Sequence, residues 1–267
     1  MSTTTTAPEA TGATTRAPIL CARGITKRFS GISALSDVDC DVYPGELVGL
    51  IGPNGAGKTT FFNCLLGMLR PDGGTVEFDG RDITRMPIHR RARMGIGRTF
   101  QRLELFSGMT VREHFLVTER ARNRSGSLWK DLLNLSKPTK DEQALAEQMI
   151  ELTGLQREAD LTVESLSLGR GRLVELGRAL MTQPKLLLLD EPSSGLDVRE
   201  TAGLADKLAA VQAEREFAVL LVEHDVEMVS SLVTRLYVLD FGELIASGAT
   251  AAVLGDEEVR RAYLGDI

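Results

Sequence analysis

The sequence predicts an α/β fold: a parallel sheet covered by helices, with a small β-rich layer ahead of it and a helical segment inserted within it. Three observations carry that prediction. An apolar run, Leu47-Val-Gly-Leu-Ile-Gly52, leads straight into a glycine-rich turn and a helix, Pro53-Asn54-Gly55-Ala56-Gly57-Lys58-Thr59-Thr60. From Gly169 onward apolar strands and helices alternate, the pattern of parallel strands joined by helical crossovers. Between about residues 102 and 165 strand-like runs give way to helical periodicity.

The elements follow in order. Residues 1–18, rich in Thr and Ala with Pro8 and Pro18, lack the apolar centre of a secretory leader and read as a disordered tail. Residues 19–267 then form one domain, with the helical segment of about 102–165 inserted in its core. Residues 19–26 and 37–42 read as short strands, and Tyr43-Pro-Gly-Glu46 as a turn before the strand at Leu47. Thr75-Val-Glu-Phe78 is a further strand, closed by Asp79-Gly80. Helical periodicity appears at 111–122 and 141–152, separated by a polar stretch holding Ser125-Gly126-Ser127 and Pro138. Beyond these come a helix to about residue 181, strand 185–190, helix 198–213, strand 217–223, helix 226–233 and strand 236–240.

With 43% hydrophobic residues in 267, the chain has material for a sizeable core. No apolar run approaches the ~20 residues needed to span a bilayer, so any path through a membrane belongs to another chain. Net charge is −6, yet residues 81–130 hold twelve Lys and Arg against four Asp and Glu. Such an excess is more often a solvated face than a site for lipid or nucleic acid. Cys21, Cys40 and Cys64 share no metal-ligand spacing and read as reduced structural thiols of a cytoplasmic protein.

The chemistry starts at the turn. Gly52, Gly55 and Gly57 leave the backbone free to aim consecutive N–H groups at phosphate oxygens, and the helix behind adds its positive end. Lys58 supplies a cation for β- and γ-phosphates, and the Thr59 hydroxyl can ligate Mg²⁺. A nucleoside triphosphate is the expected ligand. Leu186-Leu-Leu-Leu189 followed by Asp190-Glu191 delivers two carboxylates at the C-terminal end of a buried strand, where open α/β sheets bind ligands. Asp190 suits the Mg²⁺ shell and Glu191 the orientation or deprotonation of an attacking water. His224 follows the next strand and is placed to reach the γ-phosphate or that water. His89 and His114 have no such context.

In this order the motifs resemble the nucleotide-binding subunits of ATP-binding-cassette transporters, from about Ile19 to the C-terminus. The fold the resemblance implies is the P-loop NTPase cassette. Residues 52–60 match the Walker A loop, Gln101 in Arg98-Thr-Phe-Gln101 the Q-loop glutamine, and Leu166-Ser167-Leu168-Gly169-Arg170 the signature segment. Asp190 and Glu191 match the Walker B pair, Ser194-Gly-Leu-Asp197 the D-loop, and His224 the switch histidine. Phe29 occupies the place of the ring that stacks on adenine. The resemblance implies ATP and Mg²⁺ as cofactors, with Gln101 touching the metal ion and the start of the helical insertion. It also implies a dimer in which Ser167 and Gly169 face the γ-phosphate held by a partner. The commoner signature Leu-Ser-Gly-Gly-Gln is altered here, with arginine at position 170.

Gly95-Ile-Gly-Arg-Thr-Phe-Gln101, Leu105-Phe106, Met109-Thr-Val111 and the terminal Val259-Arg-Arg-Ala-Tyr-Leu-Gly265 look like the ATPases of branched-chain amino-acid importers and their relatives. That implies two permease subunits, a second ATPase of the same fold in a heterodimer, an external solute-binding protein, and a peripheral place on the cytoplasmic face of the inner membrane. No nucleic-acid partner is expected. The alternatives are the ATPase of a lipid-exporting system, a soluble cassette acting on nucleic acid or ribosomes, and a regulatory cassette with little turnover.

Overall fold

The computed structural model describes residues 17–99, 105–123 and 138–264. In chain order the elements are strands β1 Leu20–Phe29, β2 Ile32–Val42 and β3 Leu47–Ile51, helix α1 Lys58–Leu66, strands β4 Gly73–Phe78 and β5 Arg81–Asp82, helix α2 Ile88–Met94 and strand β6 Ile96–Arg98. Helices α3 Val111–Asn123, α4 Lys140–Thr153 and α5 Leu168–Met181 follow, then strand β7 Leu186–Asp190, helix α6 Val198–Arg215, strand β8 Ala218–Val222 and helix α7 Val226–Leu232. Strands β9 Arg235–Asp240 and β10 Glu243–Ala249 and helices α8 Thr250–Leu254 and α9 Glu257–Leu264 complete the described chain.

Strands β2-β1-β4-β5 form an antiparallel layer, and β10-β9-β3-β8-β7-β6 a second sheet, parallel except for β10. This is the α/β architecture that the sequence predicts, a parallel sheet with a β-rich layer beside it. Every residue of β7 and β8 is buried, which is why these strands read as unbroken apolar runs. Their pleat divides the core in two. Leu186, Leu188, Leu220 and Val222 pack toward the antiparallel layer and α1, against Phe61, Phe62, Leu65 and Phe78. Leu187, Leu189, Val219 and Leu221 pack on the other face with Phe115, Met149, Ile150, Leu180 and Leu208 from the helices. Each such side chain, fully buried, contributes about 1.5–3 kcal/mol relative to leaving it in water.

The structure extends or adds several elements. The first two strands run to Phe29 and start again at Ile32, joined by Ser30 and Gly31, whose φ values of 48° and 89° make the two-residue turn that suits the twist of a hairpin. Register shifts along β1 break the alternation that marks a strand in sequence. Helix α2 is held by an interior charge. Arg91 is 1% exposed and donates to the carbonyls of Met86, Cys64, Leu65, Ile83 and Thr84, so it caps the C-terminal end of α1. Burial pulls its guanidinium down to about 10. Arg91 therefore belongs to the core rather than to the solvated face expected for the basic stretch. Helices α3 and α4 pack against α5 through Val111, Phe115, Ala146, Met149 and Ile150. No helix among the described residues is long and apolar enough to cross a membrane.

Candidate functional site

Three neighbouring parallel strands bring the site together. Val222 of β8 pairs with Leu50 of β3 on one side and with Asp190 of β7 on the other. The chain therefore leaves all three strands at one level: the glycine-rich turn after β3, Glu223 and His224 after β8, and Glu191 after β7. β7 and β8 run as unbroken apolar strands until Asp190 and Glu223, and β3 until Gly52 opens the turn.

The turn carries the conformation a phosphate cradle needs. Gly57 has φ 99°, and a side chain there would meet the carbonyl oxygen of Ala34 at 2.6 Å, so only glycine fits. Gly55, at φ 85°, faces open space. Pro53, Asn54, Ala56, Thr59 and Thr60 line the same turn and the first turn of α1, with Asn54 and Thr59 exposed and Ala56 buried. Lys58 is 5% exposed and folds back over the turn, donating to the carbonyls of Gly52 at 2.7 Å and Pro53 at 3.0 Å. Burial lowers its proton affinity, and the carboxylates of Glu191, Asp190 and Glu223 oppose that shift. An ammonium that among the described residues is held by two carbonyls, beside three carboxylates, is poised to exchange those carbonyls for phosphate oxygens.

Asp190 is 7% exposed, and its Oδ1 atom is buried without a hydrogen-bond partner among the described residues. Desolvation, then Glu191 and Glu223, push its carboxyl up to about 6, with Lys58 pulling the other way. An orphaned carboxylate oxygen in that setting fits a divalent cation, which would supply the missing partner and the missing positive charge. Glu191 follows at φ 47°, a left-handed conformation that costs a non-glycine residue about 1 kcal/mol or more. The turn is held by Glu191 N–H donating to the Val222 carbonyl at 2.8 Å. His224 is exposed, with its ring at the same strand-end level.

Folding accordingly strains against the Asp190 charge. In the folded chain this carboxyl holds its proton more tightly than in the unfolded chain, so stability falls as pH rises from the ordinary carboxylate range through about 6 and stays lower above it. Asp190→Asn is expected to raise the stability of the nucleotide-free chain at neutral pH by about 1–2 kcal/mol and to flatten that slope. Melting temperatures measured from pH 4.5 to 7.5 check this, and parallel curves for the two proteins would contradict it.

The other predicted residues lie elsewhere. Phe29 ends β1, partly exposed, with Lys27 Nζ 5.5 Å from its ring centre. Asp197 is the N-cap of α6, its carboxylate accepting from Glu200 N–H at 2.8 Å. Ser167 is the N-cap of α5, and its hydroxyl donates to Glu200 Oε1 at 2.9 Å. That same carboxylate lies over Gly169, where a side chain would meet it at 2.8 Å. The chain's own carboxylate thus sits at the positive end of α5 and takes the single proton Ser167 can donate. The described hydrogen bonds of Ser167 run to Glu200, Arg170 and Gly171, and none to the phosphate-loop turn. Arg170 points away from that end, its guanidinium donating to the Gly154 carbonyl and lying 3.3 Å from Glu158, so it braces α5 against the end of α4. Gln101 lies outside the described residues.

Sequence reasoning missed Glu200 and Glu223, because each acts through a contact far from it in the chain. His114, unassigned from sequence, is structural: buried, it accepts from Phe106 N–H through Nε2 and faces the Thr110 carbonyl with Nδ1. The three cysteines are free thiols, with burial pushing Cys40 up to about 12 and Cys64 to about 11.

Comparison with known proteins identifies the family. Residues 35–194 match the family model described as ABC transporter, and residues 243–266 that described as branched-chain amino acid ATP-binding cassette transporter. The chain is 38% identical over 251 residues to the high-affinity branched-chain amino acid transport ATP-binding protein LivG of Escherichia coli (strain K12), covering 93% of this chain and 98% of LivG. It is 36% identical over 248 residues to the lipopolysaccharide export system ATP-binding protein LptB of Haemophilus influenzae, with coverage of 93% and 98%. Among solved structures, the ADP conformation of an ATP-binding cassette of an ABC transporter superimposes with a TM-score of 0.80 at 32% identity, covering 93% of this chain and 99% of that one.

Proposed function

The chain belongs to the ATP-binding-cassette transporter family, and from that premise we propose that its ATPase powers the import of branched-chain amino acids or a related small solute. The observation that carries the reading of the site is the common level of three strand ends, which sets the phosphate turn, His224 and the Asp190-Glu191 pair around one space. In this reading residues 52–60 cradle the phosphates, with Lys58 on the β- and γ-phosphates, and Phe29 stacks on adenine. Thr59, Asp190 and Gln101 would hold Mg²⁺, which would neutralise phosphate charge when bound. Glu191 orients the water and takes its proton, and His224 contacts the γ-phosphate.

Ser167 and Gly169 complete the site of a partner ATPase, with Asp197 beside the interface. A γ-phosphate arriving at the start of α5 displaces the Glu200 carboxylate, because two anions cannot share one helix end and one hydroxyl proton. ATP then favours the closed dimer by its differential affinity for that state, and hydrolysis removes the bridge. Gln101, ahead of the inserted segment of about 102–165, links occupancy of the site to the membrane partner. The altered signature at Arg170 fits a heterodimer. The complex sits peripherally at the cytoplasmic face of the inner membrane. The match of residues 243–266 to the branched-chain amino acid model favours import over lipid export, despite the likeness to LptB.

Purification of the tagged chain from its native membranes is expected to recover two permeases and a second cassette ATPase, and deletion to abolish uptake of radiolabelled leucine. Recovery of ribosomes, nucleic acid or a lipid-export bridge instead would overturn this reading.

A further inference from the structure

We propose that Glu223 is a positioning residue for ATP hydrolysis, its carboxylate fixing the loops of Glu191 and His224 relative to one another. Glu223 is wholly buried, and both of its oxygens are used. Oε1 accepts from the backbone N–H of Ser193 at 2.9 Å, two residues past Glu191. Oε2 accepts from the backbone N–H of His224 at 3.1 Å, and lies 3.6 Å from His224 Nδ1, too far for a hydrogen bond but close enough to bias the ring. One rigid group thus clamps the turn after β7 and the first residue beyond β8.

Nothing in the packing requires a charge here. A third carboxylate beside Asp190 and Glu191 is electrostatically costly, and Lys58 is the cation that Glu223 and its two neighbours act on together. Only a carboxylate accepts at both oxygens without presenting a donor. Glutamine at this place keeps the length but turns an NH₂ toward one of the two N–H groups. Aspartate keeps both acceptors but is one methylene short of spanning them. The clamp sets the strained Glu191 turn and the His224 ring to a single geometry, and an error of about 1 Å in such a pair is enough to cost about a hundredfold in rate.

This inference rests on the reading that Glu191 and His224 act on the γ-phosphate and its water. The test is a double-mutant cycle on the full-length chain assembled with its partner ATPase and permeases, with Glu223→Gln, His224→Ala and the pair. Glu223→Gln is expected to lower kcat about tenfold or more while KM for ATP and the affinity for a fluorescent ATP analogue stay within about twofold. In the His224→Ala background the same change is expected to cost no more than about twofold, because what the clamp sets is the place of that ring against the Glu191 turn, and without the ring there is nothing left to set. Amide hydrogen exchange at Ser193 and His224 should quicken in Glu223→Gln. Full turnover in Glu223→Gln beside a slow His224→Ala overturns the clamp alone, as do losses that simply multiply. Full turnover in His224→Ala overturns the underlying reading as well. If Glu223→Gln does not fold, Glu223→Asp is carried through the same cycle with the same criteria.

Discussion

Glu191→Gln is expected to lower kcat by about 10²–10⁴ while leaving ATP affinity within a few-fold, and to accumulate an ATP-bound dimer. The carboxylate sits one residue beyond the buried end of β7, and its backbone is held at φ 47° by the hydrogen bond from its N–H to Val222. Glutamine preserves that bond and the volume of the side chain, so the strained turn survives. What disappears is the proton acceptor for the attacking water. The cradle formed by residues 52–60 and Lys58 is untouched, which is why binding and hydrolysis separate. Single-turnover ATPase assays and the binding of a fluorescent ATP analogue read the two arms. Steady-state turnover equal to the parent's would remove Glu191 from the chemistry.

Lys58→Ala reaches the other half of the site and is expected to weaken ATP binding itself, by about 10- to 150-fold on the value of one or two charge-assisted hydrogen bonds. The change also removes the cation that pulls the Asp190 carboxyl down, so Asp190 is pushed further up. Three carboxylates, of Asp190, Glu191 and Glu223, then face one another without the ammonium that acts on all of them. Repulsion of the incoming triphosphate adds to the lost hydrogen bonds. Calorimetric titration of ATP measures the effect, and an unchanged affinity would contradict the role given to Lys58.

Much of the fold was legible in the sequence because its central strands are buried on both faces and so are unbroken apolar runs, as in Leu186-Leu-Leu-Leu189. The candidate site was legible for the same reason: each strand ends at its chemistry, and the cradle residues are contiguous. The hairpin tip at Ser30-Gly31 was not, since Lys27 and Arg28 and the register shifts of β1 hide its alternation. The Ser-Gly dipeptide was the available signal, and the structure gives both of its residues a positive φ. Helix α2 was hidden by Arg91, a charge that hydropathy assigns to solvent and that the fold instead seats against five carbonyls. Strand β10 lacks a β-branched run, holding one Ile among Ala, Ser and Gly, and is fixed by pairing with β9. Glu200 on Ser167 and Glu223 on Ser193 are tertiary contacts across 33 and 30 residues, which no local pattern encodes.

The decisive quantity is the separation between Ser167 Oγ and the terminal phosphate in the ATP-loaded Glu191→Gln assembly, determined with the partner ATPase in place. A hydrogen bond of about 3 Å to the partner's nucleotide, with the Glu200 carboxylate swung clear of the start of α5, is the predicted result. Ser167 still donating to Glu200, and a nucleotide touched by one protomer alone, would contradict it.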